Sequence, residues 1–331
     1  MTAAILKGGE VSKKYLARVK DHLQWAFTQE LSLPRLAIVK GVSSRPDAKN
    51  FADFVASRCE RAGIEHQLTE ASESNVESII KNLNHDPEIT GMIVAHPFCQ
   101  ETHAQSLDHR IMGLINPLKD VEALHPLWLG ALDHHLIRAN YQPRENEEFP
   151  KYIIPCTPKA IMYMMDHFGL PVFDQETKKG RKIVIINYSL IIGEPLFQMV
   201  KNRKGTGGVC DVYTSQSDLE EQVASADILV VAAGKPGLIH GSQIKEGAAV
   251  FDLGWNVLPG NKVVGDIDYD SVTEKAAYIV PFKGGVGPVT TTMVMLNLTY
   301  LQRLQNYLMR GGEDPILKPS AKEIQMYGTR L

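Results

Sequence analysis

Cysteine is scarce in this sequence: there are four in 331 residues, Cys59, Cys99, Cys156 and Cys210, with no CxxC pair among them. That argues against a disulfide framework or a zinc knuckle and leaves reduced thiols. An excess of one charge is missing as well, because 35 basic and 38 acidic side chains give a net −3, and such a balance offers no electrostatic footprint for nucleic acid. Long apolar runs are absent too. Stretches such as Ile228 to Ala233 fall far short of the ~18 residues that a membrane span needs. Lys7 interrupts the N-terminus before a signal-like apolar core develops. A cytoplasmic protein that meets neither nucleic acid nor membrane is expected. The GxGxxG pattern, internal repeats and low-complexity segments are lacking as well. What is present is an ordinary globular composition, 44% apolar and 22% charged. At ~150 residues per domain, the length allows two domains, each with its own core.

The run LAIVKGV (36–42), closed by Ser43, Ser44 and Pro46, reads as a buried strand and its turn. Phe51, Phe54, Val55 and Cys59 follow at i, i+3, i+4 and i+8 within 48–62, the spacing of an amphipathic helix that Gly63 stops. A helix over 75–83 and a strand over 89–94, ending at His96-Pro97, repeat the unit. Alternating strands and helices imply a parallel sheet. A polar, proline-bearing stretch over 137–151 marks a surface excursion beside a domain boundary. Beyond Pro155, strands are expected at 183–186, 209–213, 228–232, 249–253 and 277–280, with a helix over 196–202. Together these make a doubly wound sheet of the kind that binds dinucleotides. A final helix over 291–309, apolar on one face, is expected to pack back on the first domain, with 311–331 as an extended tail.

Chemistry is suggested first by three turns at strand ends. In 183–195, Asn187, Tyr188, Ser189, Ile192 and Gly193 lie between a buried strand and a helix, where unpaired backbone N–H groups would meet a phosphate. An ordinary strand-to-helix turn explains that segment equally well. Ala233 and Gly234 in AAGKPG, and Gly254 with Trp255 in GWN, follow two further strands. Three such turns line the sheet edge on which a nucleotide lies in open α/β sheets. The densest motif is PFKGGVGPVT (281–290), in which Gly284, Gly285 and Gly287 let backbone approach a flat ligand and Thr290 to Thr292 place hydroxyls at a helix start. A flexible cap on the last helix is the plainer reading. Thr157 fits as an N-cap with Pro158 behind it. His134-His135 reads as a solvated helix end rather than a metal site, and no metal is expected.

PCTP (155–158), KDVEALHP (119–126), AAGKPGLI (232–239), GDIDY (265–269) and GGVGPVTTTM (284–293) resemble, in order and spacing, the methylenetetrahydrofolate dehydrogenase/cyclohydrolase family, over about Ile5 to Met309. The resemblance implies an α/β protein of two α/β domains. A folate-binding domain, 1–150 completed by 291–331, and a Rossmann-type domain with a doubly wound parallel sheet, 155–290, would face each other across a cleft, usually in a homodimer. It also implies a reduced folate as the substrate and NAD or NADP as the cofactor. Phe51, Glu122, Gly284, Gly285, Val286, Gly287 and Pro288 would then line the substrate site. Asn187, Tyr188, Ser189, Ile192, Gly193, Thr214, Ser215, Ala233, Gly234, Gly254, Trp255 and Thr290 would line the cofactor site.

The departures from that family are specific. Counting back from Cys59-Glu60, Phe51 takes the place of the family's tyrosine and Val55 the place of its cyclohydrolase lysine. QLP reads Ala95-His96-Pro97, so the assisting glutamine is gone, and the aspartate of KDVDG is Glu122. Oxidising 5,10-methylenetetrahydrofolate needs no general base, since two flanking nitrogens stabilise the methenyl cation, and positioning does most of the work. Hydrolysing that cation needs an activated water. The sequence therefore predicts a dehydrogenase without cyclohydrolase activity, with Glu122, Phe51 and His96 as catalytic candidates. His96 is either a replacement for the lysine or a structural histidine. Lys283 is either a contact for an acidic substrate tail or an exposed loop residue. A dehydrogenase of another reduced pterin or small substrate, and a silent ligand-binding relative, are the competing readings. NAD is favoured over NADP because Tyr188 stands where many relatives place an arginine. Against it, Thr214 and Ser215 could bind a phosphate, and no acidic residue ends a strand over 209–213.

Overall fold

The computed structural model describes residues 2–100, 104–133 and 152–311. The polar stretch 137–151, His134-His135 and all of the tail except Gly311 lie outside them. In chain order, strand β1 (Ala4–Ile5) and helix α1 (Gly9–Thr28) precede a first unit made of β2 (Arg35–Gly41), α2 (Pro46–Ala62), β3 (Glu65–Ala71), α3 (Val76–His85), β4 (Gly91–Val94), α4 (Ala104–Leu114) and α5 (Pro126–Asp133). Its sheet is parallel, in the order β3-β2-β4. β2 is buried on both faces and alternates between two cores: Leu36 and Ile38 face the central one, Ala37 and Val39 the outer one. Pro46 opens α2 as its first residue, after extended Arg45, and Gly63 closes it in the left-handed region at φ 74°.

Helix α6 (Cys156–His167) leads into a small hairpin, β5 (Phe173–Asp174) with β6 (Lys179–Gly180). The second sheet follows from β7 (Lys182–Ile186), α7 (Gly193–Asn202), β8 (Thr206–Cys210), α8 (Gln216–Ser225), β9 (Ile228–Val231) and β10 (Ala249–Asp252). A hairpin of β11 (Asn256–Leu258) and β12 (Lys262–Val264), then α9 (Tyr269–Lys275), β13 (Tyr278–Val280) and α10 (Val286–Met309), follow among the described residues. The sheet has six parallel strands in the order β1-β13-β10-β9-β7-β8. The chain leaves β7 for β8 on one side and β9 lies on the other, so a topological switch point opens at the end of β7.

Several boundaries differ from the sequence reading. The strand expected at 209–213 spans Thr206–Cys210. Its TGGVC sequence carries almost no β-propensity signal, whereas the β-favouring Val212 and Tyr213 are 91% exposed. Gly207 (φ 140°) is needed there because a Cβ would fall 1.8 Å from the Ile183 carbonyl oxygen. The last helix starts at Val286 rather than 291, since Gly287 and Pro288 are tolerated in a first turn. α6 starts at Cys156 after Pro155, so Thr157 is not its N-cap. α1 and β3 had no counterpart in the reading. The N-terminus also crosses over: Ala4 pairs with Tyr278 and Ile5 with Ile279, so a strand from within 1–150 edges the second sheet.

One apolar core joins the two units. Ile38 of β2, Val55 of α2, Val19 of α1, Met162 of α6, Ile185 of β7 and Met293 of α10 all belong to it. α10 lies against α1, α2 and α6, which fixes how its N-terminal GGVGP segment faces the first sheet.

Candidate functional site

Three turns are braced at the C-terminal edge of the second sheet. After β7, Asn187 Oδ1 accepts from Ser189 N (3.0 Å) and Gly193 N (3.2 Å), and its Nδ2 donates to Ala232 O (2.8 Å) in the turn after β9. A Cβ on Gly193 would sit 1.7 Å from Asn187 O, so only glycine starts α7 this close to the turn. Ser189 Oγ accepts from Ile192 N (3.2 Å), and Tyr188 is exposed. After β9, the N–H groups of Ala233 and Gly234 both donate to Asp266 Oδ2 (2.6 and 2.9 Å), while Asn256 Nδ2 donates to its Oδ1 (2.7 Å). After β10, Asp252 Oδ1 accepts from Gly254 N (3.0 Å) and Asp266 N (2.9 Å). Both aspartates are buried, and burial pushes the Asp252 carboxyl up to about 6 against the pull of those backbone donors. The sequence reading quoted GDIDY but gave these carboxylates no role. Only their place beside glycines, with Gly254 and Gly265 packed on them without room for a Cβ, reveals it.

Other cofactor-side candidates are placed differently from the expectation. Thr290 is in the second turn of α10, its hydroxyl bonded to Val286 O (3.3 Å), not at the helix start. Ser215 is the N-cap of α8, accepting from Asp218 N (3.2 Å), and Thr214 Oγ1 accepts from Asp211 N (2.9 Å), so both hydroxyls serve their own loop. Since β8 ends at Cys210, Asp211 is the first residue beyond it, and an acidic residue does end that strand. Trp255 bridges the two units edge-on, 6.5 Å from the Phe54 ring of α2 and 6.1 Å from Phe282. Its Nε1 is buried with no hydrogen-bond partner among the described residues. A tight glycine turn before α7, braced turns after β9 and β10 and an unspent indole donor together fit a dinucleotide.

Across from this edge, Asp120 bridges to Met92 of β4, which sets Glu122 beside the strand end that leads to Ala95 and His96. Asp120 folds the loop back on itself, taking Glu122 N (3.1 Å) and His125 N (2.7 Å), and burial raises its carboxyl to about 6. Burial also pushes the Glu122 carboxyl up, to about 8, although His96 pulls it down. His96 Nδ1 lies 2.9 Å from Asp108 Oδ1, and both side chains are buried. Burial alone would lower the imidazole, but Asp108, then Glu122 and Asp120, outweigh it and raise it. His96, Asp108, Asp120 and Glu122 thus form one electrostatic cluster, of which Asp108 and Asp120 were missed in the sequence. Phe51 is half-buried against the core, and Val55 and Ala95 are each 1% exposed within it. Of the glycine-rich loop, Gly285 and Val286 are buried, while Gly284 (φ 79°), Gly287 and Lys283 are exposed and Pro288 is half-buried. A Cβ on Gly285 would fall 2.1 Å from Pro281 O.

Behind the Glu122 loop, Asn297 of α10 donates to Val121 O (2.8 Å) and Ile154 O (3.0 Å) and accepts from buried Lys159 Nζ (2.8 Å). Burial lowers that ammonium to about 8. No group of three or more His, Cys, Asp or Glu side chains that could hold a metal ion occurs among the described residues.

A switch-point sheet with braced glycine turns, facing a carboxylate-bearing loop on a second α/β unit, defines a two-domain α/β protein of the dinucleotide-binding class. Comparison with known proteins narrows this. Residues 155–306 match the tetrahydrofolate dehydrogenase/cyclohydrolase NAD(P)-binding domain and residues 6–122 the tetrahydrofolate dehydrogenase/cyclohydrolase catalytic domain. The bifunctional protein FolD of Nitratiruptor is 33% identical over 88% of this chain and 95% of its own, and that of Aquifex aeolicus 33% over 89% and 94%. The FolD structure from Campylobacter jejuni superposes with a TM-score of 0.75 at 28% identity, covering 92% of this chain and 99% of its own. The Trypanosoma brucei enzyme, complexed with NADP and an inhibitor, gives 0.78 at 26%, covering 92% and 98%. The chain belongs to the tetrahydrofolate dehydrogenase/cyclohydrolase family.

Proposed function

We propose that this protein is an NAD(P)-dependent 5,10-methylenetetrahydrofolate dehydrogenase that has lost cyclohydrolase activity. One observation carries the reading. Val55 and Ala95, at the positions of the family's lysine and glutamine, are both sealed in the apolar core, while the turns of the cofactor edge keep their bracing. A bound nicotinamide dinucleotide supplies the hydride acceptor. The chain's part is positioning: Glu122 accepts hydrogen bonds from the N–H edge of the pterin, Phe51 stacks on its face, and exposed Gly284 and Gly287 with Pro288 close the other side. Asp108, 2.9 Å from His96, raises the imidazole above its ordinary value, and we read His96 as a partner of this acid cluster rather than as the missing base.

NAD is the cofactor we favour, because the turn 187–193 contains no lysine or arginine for a 2′-phosphate. The division into a folate domain, 1–150 with 291–331, and a cofactor domain, 155–290, belongs to the same reading, with β1 lent to the second sheet. So do a homodimer and a cytoplasmic location. None of the described helices is long and apolar enough to cross a membrane. The test is direct: purified protein with methylenetetrahydrofolate and NAD or NADP should generate reduced nicotinamide absorbance that depends on both substrates. No signal with either cofactor would defeat the proposal.

A further inference from the structure

The end of β8 carries a group that the family resemblance did not supply. β7 and β8 run parallel with Ile186 opposite Cys210, so Asp211 emerges level with Asn187 at the switch point. A dinucleotide laid across that point puts one of its nucleotides over β8. The loop holds the Asp211 carboxylate in place: Oδ1 accepts from Tyr213 N (2.9 Å) and Thr214 Oγ1 (3.2 Å), and Asp211 N donates back to Thr214 Oγ1 (2.9 Å). Oδ2 has no hydrogen-bond partner among the described residues. Val212 and Tyr213, next in the chain, are 91% exposed, so the loop stands open to a ligand.

The surroundings are acidic. Neither 187–193 nor 211–217 contains a lysine or arginine, and α8 adds Asp218, Glu220 and Glu221 without a basic residue. The basic group on α7 lies at the far end of that helix, where Arg203 is paired with Asp166 at 2.6 Å. We infer that Asp211 is the specificity-determining residue of the cofactor site, its unspent oxygen accepting from the adenosine ribose hydroxyls of NAD and its charge opposing the 2′-phosphate of NADP. A carboxylate can take two ribose O–H donors, whereas a dianionic phosphate in the same place would meet a like charge with no cation to offset it.

This inference rests on the second unit being a dinucleotide site, and binding measurements separate the two claims. Titration calorimetry of the full chain with NAD and with NADP should show NAD bound at least about tenfold more tightly. Asp211→Asn keeps the oxygen that the loop uses but loses the charge, and Asp211→Ser removes both. Each should shrink the NAD-to-NADP affinity ratio by about tenfold or more, while Asp218→Asn, in the first turn of α8, leaves it unchanged. A wild-type preference for NADP, or a ratio unmoved in both Asp211 variants with circular dichroism intact, overturns the role of Asp211. A folded wild-type protein that binds neither dinucleotide overturns the cofactor reading itself.

Discussion

At the scale of single residues, Glu122 carries the testable chemistry. Its carboxyl is raised by burial to about 8 in the unliganded protein, and only the ionised form offers two oxygens to the pterin N–H edge. The ionised fraction grows with pH, so kcat/KM for the folate should climb as pH rises toward about 8 and level off above it. Glu122→Gln should lower kcat/KM about tenfold or more, equivalent to ~1.4 kcal/mol, leave dinucleotide affinity unchanged and abolish the rising limb. Stability runs the opposite way. The folded pKa lies above that of the unfolded chain, so the unfolded state binds fewer protons in between. Stability therefore falls as pH rises from the ordinary carboxylate range to about 8, and the glutamine variant should lack that part of the slope. A variant with an unchanged pH profile would remove Glu122 from the site. Glu122 was legible in the sequence because KDVEALHP is a local motif. Asp108 was not, because it reaches His96 from helix α4 and no spacing announces that contact.

At the scale of elements, the strands of both sheets were legible wherever β-branched residues run together, as in Ile183–Ile186 and Ile228–Val231. β8 was misplaced because two glycines hide it, and that error concealed Asp211. The turns show the same division: glycines mark them in sequence, but the acids that hold them come from later segments. The Asp266 carboxylate accepts three hydrogen bonds, from the backbone N–H groups of Ala233 and Gly234 and from Asn256 Nδ2. Asp266→Ala leaves those donors unsatisfied in a buried place and should destabilise the protein by ~3 kcal/mol. Weaker NAD or NADP binding should accompany the lower melting temperature, because two cofactor turns lose their common anchor. A variant as stable as wild type would show that the turns hold their shape unaided.

At the scale of the whole molecule, the two units share one core through α1, α6 and α10, and the proposed site lies where their edges meet. The sequence motifs conveyed the family and the order of the units. They could not convey that the N-terminus edges the second sheet or that Trp255 touches Phe54 across the cleft, since both depend on how the units are set against each other. On the proposed reading the valine at position 55 has its consequence here: the carboxylate and the braced cofactor edge serve hydride transfer, while an alkyl group stands where the family's amine would assist hydrolysis. Loss of a general acid/base removes roughly 10²- to 10⁴-fold of rate. The most direct measurement is the decay of methenyltetrahydrofolate, followed by its own absorbance, with and without the purified protein. The account predicts that the protein forms this species from methylenetetrahydrofolate and oxidised cofactor, and that the species then decays no faster than in buffer. Decay well above the buffer rate, abolished by His96→Ala, would contradict it and hand the lost lysine's task to His96.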